Sequence, residues 1–472
     1  MAGGGINAAL NTKDENDSPE EHFTDTIKAA CGLADPNAVW GMTQAAPELV
    51  HWLLKLGVKF NMSGYDDVDL RNFGGQKKKR TAFAQSDTGK QIMTAMIDAV
   101  RRKEASGMVE RFSHHSFLTL RLCGNICCGC VIRDEYSQET VELPGDAVIV
   151  ATGGMHGLFG NTTGSLSNTG EVTAELFRLG VPLANGEMIQ YHPTTVKCGG
   201  KRMLISEAAR GEGGRLFAMK DGKQWYFMEE KYPELGNLMP RDITAREIWK
   251  VSHESEVFLD MTEISEEIIS NKLSGLADDC MTYLHKDIRK EPVSVLPGIH
   301  YFMGGILVDE QHRTPIQNLY AAGECCAQYH GANRLGGNSL LGALYGGRVA
   351  AKSACEQADV VDLSCATQID FPPASQISEI KQLNKVMQET MGVVRNENTL
   401  LNGIQTVQAL TGNLPLLGMA VLKSALARKE SRGAHWREDY PKSNDDDYLK
   451  TTVARFDGKQ IQISFVPVPE RR

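Results

Sequence analysis

The sequence predicts a mixed α/β protein, and three features carry that reading. The segment DAVIVATGG (146–154) is an apolar strand running into a glycine turn. A second short apolar strand, NLYAAGE (318–324), also ends on a glycine and an acid. Stretches with helical periodicity lie on both sides of these strands.

At 472 residues the chain has room for roughly two to four domains. Its 42% hydrophobic and 23% charged content is ordinary for a globular protein. A net charge of -9 argues against nucleic acid as a partner, because phosphate binding needs a basic surface. The one basic run, Lys77–Arg80, reads as a solvated loop. There is no apolar run of about 18 residues to span a membrane, and no signal-peptide pattern opens the chain. The eleven cysteines, an odd number, read as reduced thiols in a cytoplasmic setting. Cys123, Cys127, Cys128 and Cys130 lack paired metal-ligand spacing and sit in a strand–turn–strand pattern about Gly124-Asn125, so they read as packing residues.

The elements follow in order. MAGGGINAAL is a glycine loop leading into a short apolar segment. PELVHWLLKLG predicts an amphipathic helix from Pro47 to Leu56, ended by Gly57, and a second helix spans about Thr88 to Lys103. Phe117 to Val150 is rich in strand alternation. A helix runs from about Gly170 to Leu179, and irregular chain follows at YHPTT. Residues 196–297 are mixed and polar and read as an inserted domain. Strands resume at GGILVD and NLYAAGE, and the loop HGANRLGGNSL opens a small-residue helix from Leu341 to Cys355. After a proline-containing linker at Phe371–Ser375 the chain is helical to about Arg432, and a tail with one short strand, QIQISFVPV, ends it.

Several polar residues stand beside glycines or prolines in segments that read as irregular: His192, Ser206, Glu207, Arg210, Arg241, His300 and Arg334. Two arginines and two histidines converging on one pocket suit a small dianion, since arginine grips carboxylate with a two-pronged fork and histidine can donate near neutral pH. An acid at a strand's C-terminal end, Glu324, suits ribose hydroxyls. Residue types and spacing lead to an α/β protein with a nucleotide and an anionic ligand.

Longer motifs lead further. HYFMGGILVDEQHRTPIQNLYAAGECCAQYHGANRLGGNSLLGALYGGRVA resembles the flavoprotein subunit of succinate dehydrogenase and fumarate reductase, as do QYHPTTV, SEAARGEGG, PRDI, LDMT and SALARKESRGAHWREDYP. The resemblance runs from Gly3 to about Pro441. It implies an FAD-binding Rossmann-like domain in two parts (1–195 and 298–370), a capping domain (196–297), a helical domain (371–440) and a tail (441–472). It implies FAD as cofactor and hydride transfer between flavin N5 and a four-carbon dicarboxylate. Arg241 matches the family's proton-transferring arginine, with Glu207 as relay. His192, Ser206, His300 and Arg334 match the substrate grip. Gly3, Gly4, Gly5, Glu171, Glu324, Ser339 and Leu340 match cofactor contacts, Glu171 standing where relatives usually have aspartate. It also implies an iron–sulfur partner subunit, with membrane-anchor subunits beyond it, and a place at the inner face of the cytoplasmic membrane.

One departure stands out. No G-x-G-x-x-G turn occurs in the chain, so the domain reads as lacking its first βα unit. The family's flavin-bonding histidine, in a Ser-His-Thr segment, aligns just before Met1. A fragment is the favoured reading, and a complete chain without tight FAD binding is the other. L-aspartate oxidase and adenylylsulfate reductase share the architecture. Met303 and the PRDI motif favour the dicarboxylate reading over them, and an FAD-free, non-catalytic homologue is a further alternative.

Overall fold

The two strands that the sequence marks most clearly pair with each other. In the computed structural model, which describes residues 3–472 apart from 65, 166, 359–370 and 372–375, Val148–Val150 runs parallel to Leu319–Ala321, with Val148 opposite Leu319. The helix Asn338–Gln357 covers one side of the pair, where Tyr320, Ala322 and Ala350 pack together. The other side joins a core that includes Leu120, Cys127, Leu176 and Ile306. A three-stranded antiparallel sheet, His115–Cys123, Ile126–Asp134 and Thr140–Pro144, precedes the pair. Its first turn falls at Gly124, whose φ of 58° is the left-handed conformation glycine adopts without strain.

Cys127 and Cys128 are buried in this sheet, in keeping with packing. The reading of all cysteines as thiols needs one correction. Among the described residues nine are free, but Cys123 is disulfide-bonded.

The Val148–Val150 strand has an open side. Val148 and Val150 direct their backbone bonds to the 318–322 segment, so Ile149 faces away from it. Ile149 is 40% exposed, although an all-apolar parallel strand is normally covered on both sides.

A second assembly is built on the antiparallel pair Ile189–Cys198 and Leu296–Phe302. Between these strands the chain forms a four-stranded antiparallel sheet around Leu216, Ala218, Val257 and Leu259, and the helix Arg241–Val251. YHPTT is therefore strand rather than irregular chain. Pro193 is tolerated because the register shifts there: Thr195 pairs with Leu296, but His192 pairs with Gly298.

Helices Ile377–Thr390, Glu397–Val407 and Asn413–Ala427 pack around Leu383, Leu400, Leu417 and Val421. A hairpin of Lys450–Phe456 and Ile461–Pro467 ends the chain, and sequence reasoning found only its second strand. Helix ends at Ala427 rather than Arg432, because the segment that follows is held by buried ions. Arg428 donates to Glu187 and to Glu430, each at 2.7 Å. The helix expected from Pro47 begins at Pro36, capped by Asp35, and carries Pro47 inside it. The basic run is solvated only in part. Arg80 is fully buried and paired with Asp17 at 2.7 Å and Asp25 at 2.9 Å. Apart from Phe371, the expected linker lies outside the described residues.

Candidate active site

Two helix starts bring the central groups together. Ser206 caps the short helix Glu207–Gly211 by accepting from the Ala208 amide at 3.3 Å, which places Glu207 in the first turn. Arg241 is the first residue of its own helix, after Pro240. Its Nε and Nη2 donate to Glu207 Oε2 at 2.8 and 2.6 Å, and its Nη1 donates to Gln190 Oε1 at 3.0 Å. A guanidinium carries five N–H groups. One on each terminal nitrogen therefore has no partner among the described residues.

The other oxygen of Glu207 accepts from Arg210 at 3.2 Å and from the Gly74 amide at 3.3 Å. Burial pushes this carboxyl up, but Arg241 and Arg210 outweigh it and hold it below its ordinary value.

Arg334 differs from every other cation here. It is only 3% exposed and lies over the Tyr301 ring at 4.4 Å. No hydrogen bond or ion pair reaches its side chain among the described residues, and its Nε is buried without an acceptor. Burial, reinforced by Arg241, pulls its pKa down to about 9. Arg241, Arg210 and Arg334 against the single carboxylate of Glu207 leave this buried group with a net charge of +2.

His192 and His300 stand on the adjoining antiparallel strands, ring centres 5.2 Å apart in an edge-on arrangement. Thr163 Oγ1 lies 2.8 Å from His300 Nδ1. Burial first, and then Arg241, depress both imidazoles well below the ordinary range, so both are neutral at pH 7. Arg334 also depresses His300. Arg241, Arg334, His192 and His300 thus share one electrostatic space, with Glu207 and Ser206 at its edge.

The expected cofactor residues lie mostly apart from that space. Glu324, just past the Leu319–Ala321 strand, accepts from the Phe302 amide at 3.1 Å and lies 3.4 Å from His156 Nε2. A Cβ on Gly154 would come within 2.6 Å of the Glu324 carboxyl, so the two parallel strands end against each other. Ser339 and Leu340 are half-buried in the first turn of the Asn338–Gln357 helix, which has no side-chain cap. Gly337 before it has φ 85°, and a Cβ there would lie 2.0 Å from Asn7 Oδ1. Gly3, Gly4 and Gly5 pack on Ser86, Phe73 and Ala82. Glu171 is exposed at the start of its helix and is not brought to Glu324. An uncapped helix start, an acid beyond a parallel strand and glycines without room for a side chain suit a dinucleotide. The residues present fit FAD.

Sequence reasoning missed Gln190, Asn333, Tyr301, Thr163 and His156. Gln190 shared a signal with His192, since residues two apart on a strand lie on one face. Reading YHPTT as irregular hid it.

Comparison with known proteins bears on the family and the fold. Residues 1–340 match the FAD binding domain family, and residues 410–471 match the fumarate reductase flavoprotein C-terminal family. The chain is 37% identical over 535 residues to the succinate dehydrogenase flavoprotein subunit of Bacillus subtilis, covering 100% of this chain and 91% of that one. It is 32% identical over 513 residues to an L-aspartate oxidase from Nostoc, covering 96% and 86%. Among solved structures, a variant of the E. coli quinol fumarate reductase FrdA superposes with a TM-score of 0.89 at 27% identity, covering 99% of this chain and 89% of that one.

Proposed function

The chain belongs to the succinate dehydrogenase and fumarate reductase flavoprotein family, and on that premise we propose that it interconverts succinate and fumarate. The observation that carries this reading is Arg334, a buried arginine without an ion pair among the described residues, in a group of net charge +2. Burying an unpaired charge costs several kcal/mol, and a dicarboxylate both neutralises the group and satisfies its donors. FAD, held by Glu324, the glycines at 3–5 and 153–154 and the start of the Asn338–Gln357 helix, supplies hydride transfer when bound.

The chain's own residues do the rest. Arg334 grips one carboxylate with its free fork. His192, His300 and the Ser206 hydroxyl hold the other, as neutral donors that need no charge change near pH 7. Holding both ends draws electron density from the central double bond of fumarate. The unengaged N–H groups of Arg241 offer a proton to the carbon chain. Arginine is a weak acid by its reference pKa. Glu207, bound to it through two hydrogen bonds, relays a replacement proton from solvent to the arginine and holds the guanidinium in place.

Residues 196–297 act in this reading as a cap that excludes water, and electrons are exchanged with an iron–sulfur subunit on the cytoplasmic side of a membrane complex. None of the described helices is long and apolar enough to cross a membrane itself. The test is Arg241→Ala in the flavin-loaded protein. Turnover of fumarate should vanish while the flavin absorbance stays, and undiminished turnover would remove Arg241 from the mechanism.

A further inference from the structure

We propose that Gln190, together with Asn333, is a positioning residue that sets Arg241 against Arg334 and so fixes the distance between the proton donor and the carboxylate grip. The inference rests on the reading of Arg241 given above.

The hydrogen bonds leave no freedom in direction. Arginine can only donate, so the oxygen of Gln190 must face Arg241 Nη1, at 3.0 Å. The amide nitrogen of Gln190 then points the other way. There it donates to Asn333 Oδ1 at 3.0 Å and to the backbone carbonyl of Arg334 at 2.9 Å. With its oxygen occupied, Asn333 turns its own nitrogen to Asp242 Oδ1 at 3.1 Å. Asp242 follows Arg241 in the chain, so the bonds close a ring: Arg241, Gln190, Asn333, Asp242. The ring joins three segments that are distant in sequence: the start of the Arg241–Val251 helix, the Ile189–Cys198 strand and the loop carrying Arg334.

Burial makes the ring consequential. Gln190 is 0% exposed, Asn333 3% and Arg241 6%, so water cannot replace a lost partner at low cost. Glu207 alone would leave Arg241 free to pivot about a single carboxylate oxygen, since both of its bonds end on Oε2. The third bond, from Gln190, removes that pivot. The same side chain holds the backbone of Arg334. A buried glutamine serving stability alone would have no reason to bond both arginine-bearing segments at once.

The test uses the flavin-loaded protein, with fumarate as oxidant and a reduced viologen dye as electron donor. Gln190→Met keeps the volume and removes both bonds. It should lower kcat by at least about tenfold and leave KM within about threefold, because the carboxylate grip remains. Gln190→Glu keeps an acceptor toward Arg241 and adds a charge that stabilises its cation, so the pH–rate profile should move to higher pH. If Gln190→Met does not fold, Asn333→Ala, which opens the ring at its far side, should still lower kcat severalfold. Folded variants with wild-type kcat and an unmoved pH profile would overturn the proposal. If Arg241→Ala is inactive while Gln190→Met behaves as wild type, only the role of Gln190 falls. If Arg241→Ala still turns over, the reading of Arg241 falls and this inference with it.

Discussion

Arg334 sets stability against binding. Among the described residues its guanidinium is buried without an acceptor for Nε and without an ion pair. Replacing it with methionine, which can still lie on Tyr301, removes a desolvated charge and its repulsion from Arg241. Arg334→Met should therefore raise the unfolding free energy of the ligand-free protein by about 1 kcal/mol or more, and weaken succinate binding at least about a hundredfold. Chemical denaturation and calorimetric titration measure the two effects. A variant that is less stable and still binds succinate would contradict the role given to Arg334. The sequence placed Arg334, Arg241, His192 and His300 among the candidates because of the residues that flank them. It could not reveal that Arg241 has a carboxylate partner and Arg334 has none, because pairing is settled between segments as far apart as 207 and 241.

At the scale of elements, the segment ALARKESRGAHWREDYP is a structural clamp. Arg428, Glu430, His435 and Arg437 are fully buried, and Arg428 bridges Glu187 and Glu430. It also donates to the carbonyls of Tyr448 and Lys450, which seats the terminal hairpin. Arg428→Met would leave the buried Glu187 without an ion pair among the described residues, while Glu430 keeps Arg432, and should cost about 3–5 kcal/mol, read as a shift in denaturation midpoint. A loss below about 0.5 kcal/mol, the range of surface changes, would show that the cluster does not hold the hairpin. The elements that sequence reasoning found share one property: their pattern is local. The parallel strand pair, the Gly124 turn and the Thr88 helix are of this kind. The elements it missed break a local rule and are rescued by distant contacts. Pro193 lies within a strand because a register shift absorbs it. Pro47 lies within the Pro36–Lys55 helix, whose Met42, Leu49, Val50 and Leu53 are buried. Arg80 lies in a basic run and is buried because Asp17 and Asp25 meet it.

The molecule as a whole should be sensitive to acid. Burial holds His22, His192, His300, His330 and His435 below the ordinary histidine range, His22 down to about 3. In the unfolded chain each binds a proton below about pH 6.5. The folded state stays neutral there, so the stability from these groups is complete above about pH 6.5 and is lost as pH falls. Each can contribute about 1.4 kcal/mol of loss per pH unit in that window. Asp17, Asp242 and Asp279, raised by burial, act in the opposite direction, but they are three against six once His312, also lowered by burial, is counted. The thermal midpoint should fall steadily from pH 7 to pH 5, and a flat profile over that range would contradict the neutral, buried state of the histidines. The same scale contains the open edge at Ile149, where an apolar parallel strand lacks a neighbour on one side among the described residues. The fold class, the family and the cationic character of the site were legible in the chain's motifs, whereas that edge appears only once the strands are assembled.

The central claim is that a buried group of net charge +2 takes a four-carbon dicarboxylate to be reduced or oxidised. The most direct measurement is oxidation of a reduced viologen dye by the flavin-loaded protein with fumarate, the monoacid crotonate or no acceptor, alongside dye reduction with succinate or L-aspartate as donor. The account predicts turnover with fumarate and succinate and none above background with crotonate or L-aspartate. Turnover with L-aspartate but not succinate, or no discrimination between fumarate and crotonate, would contradict it.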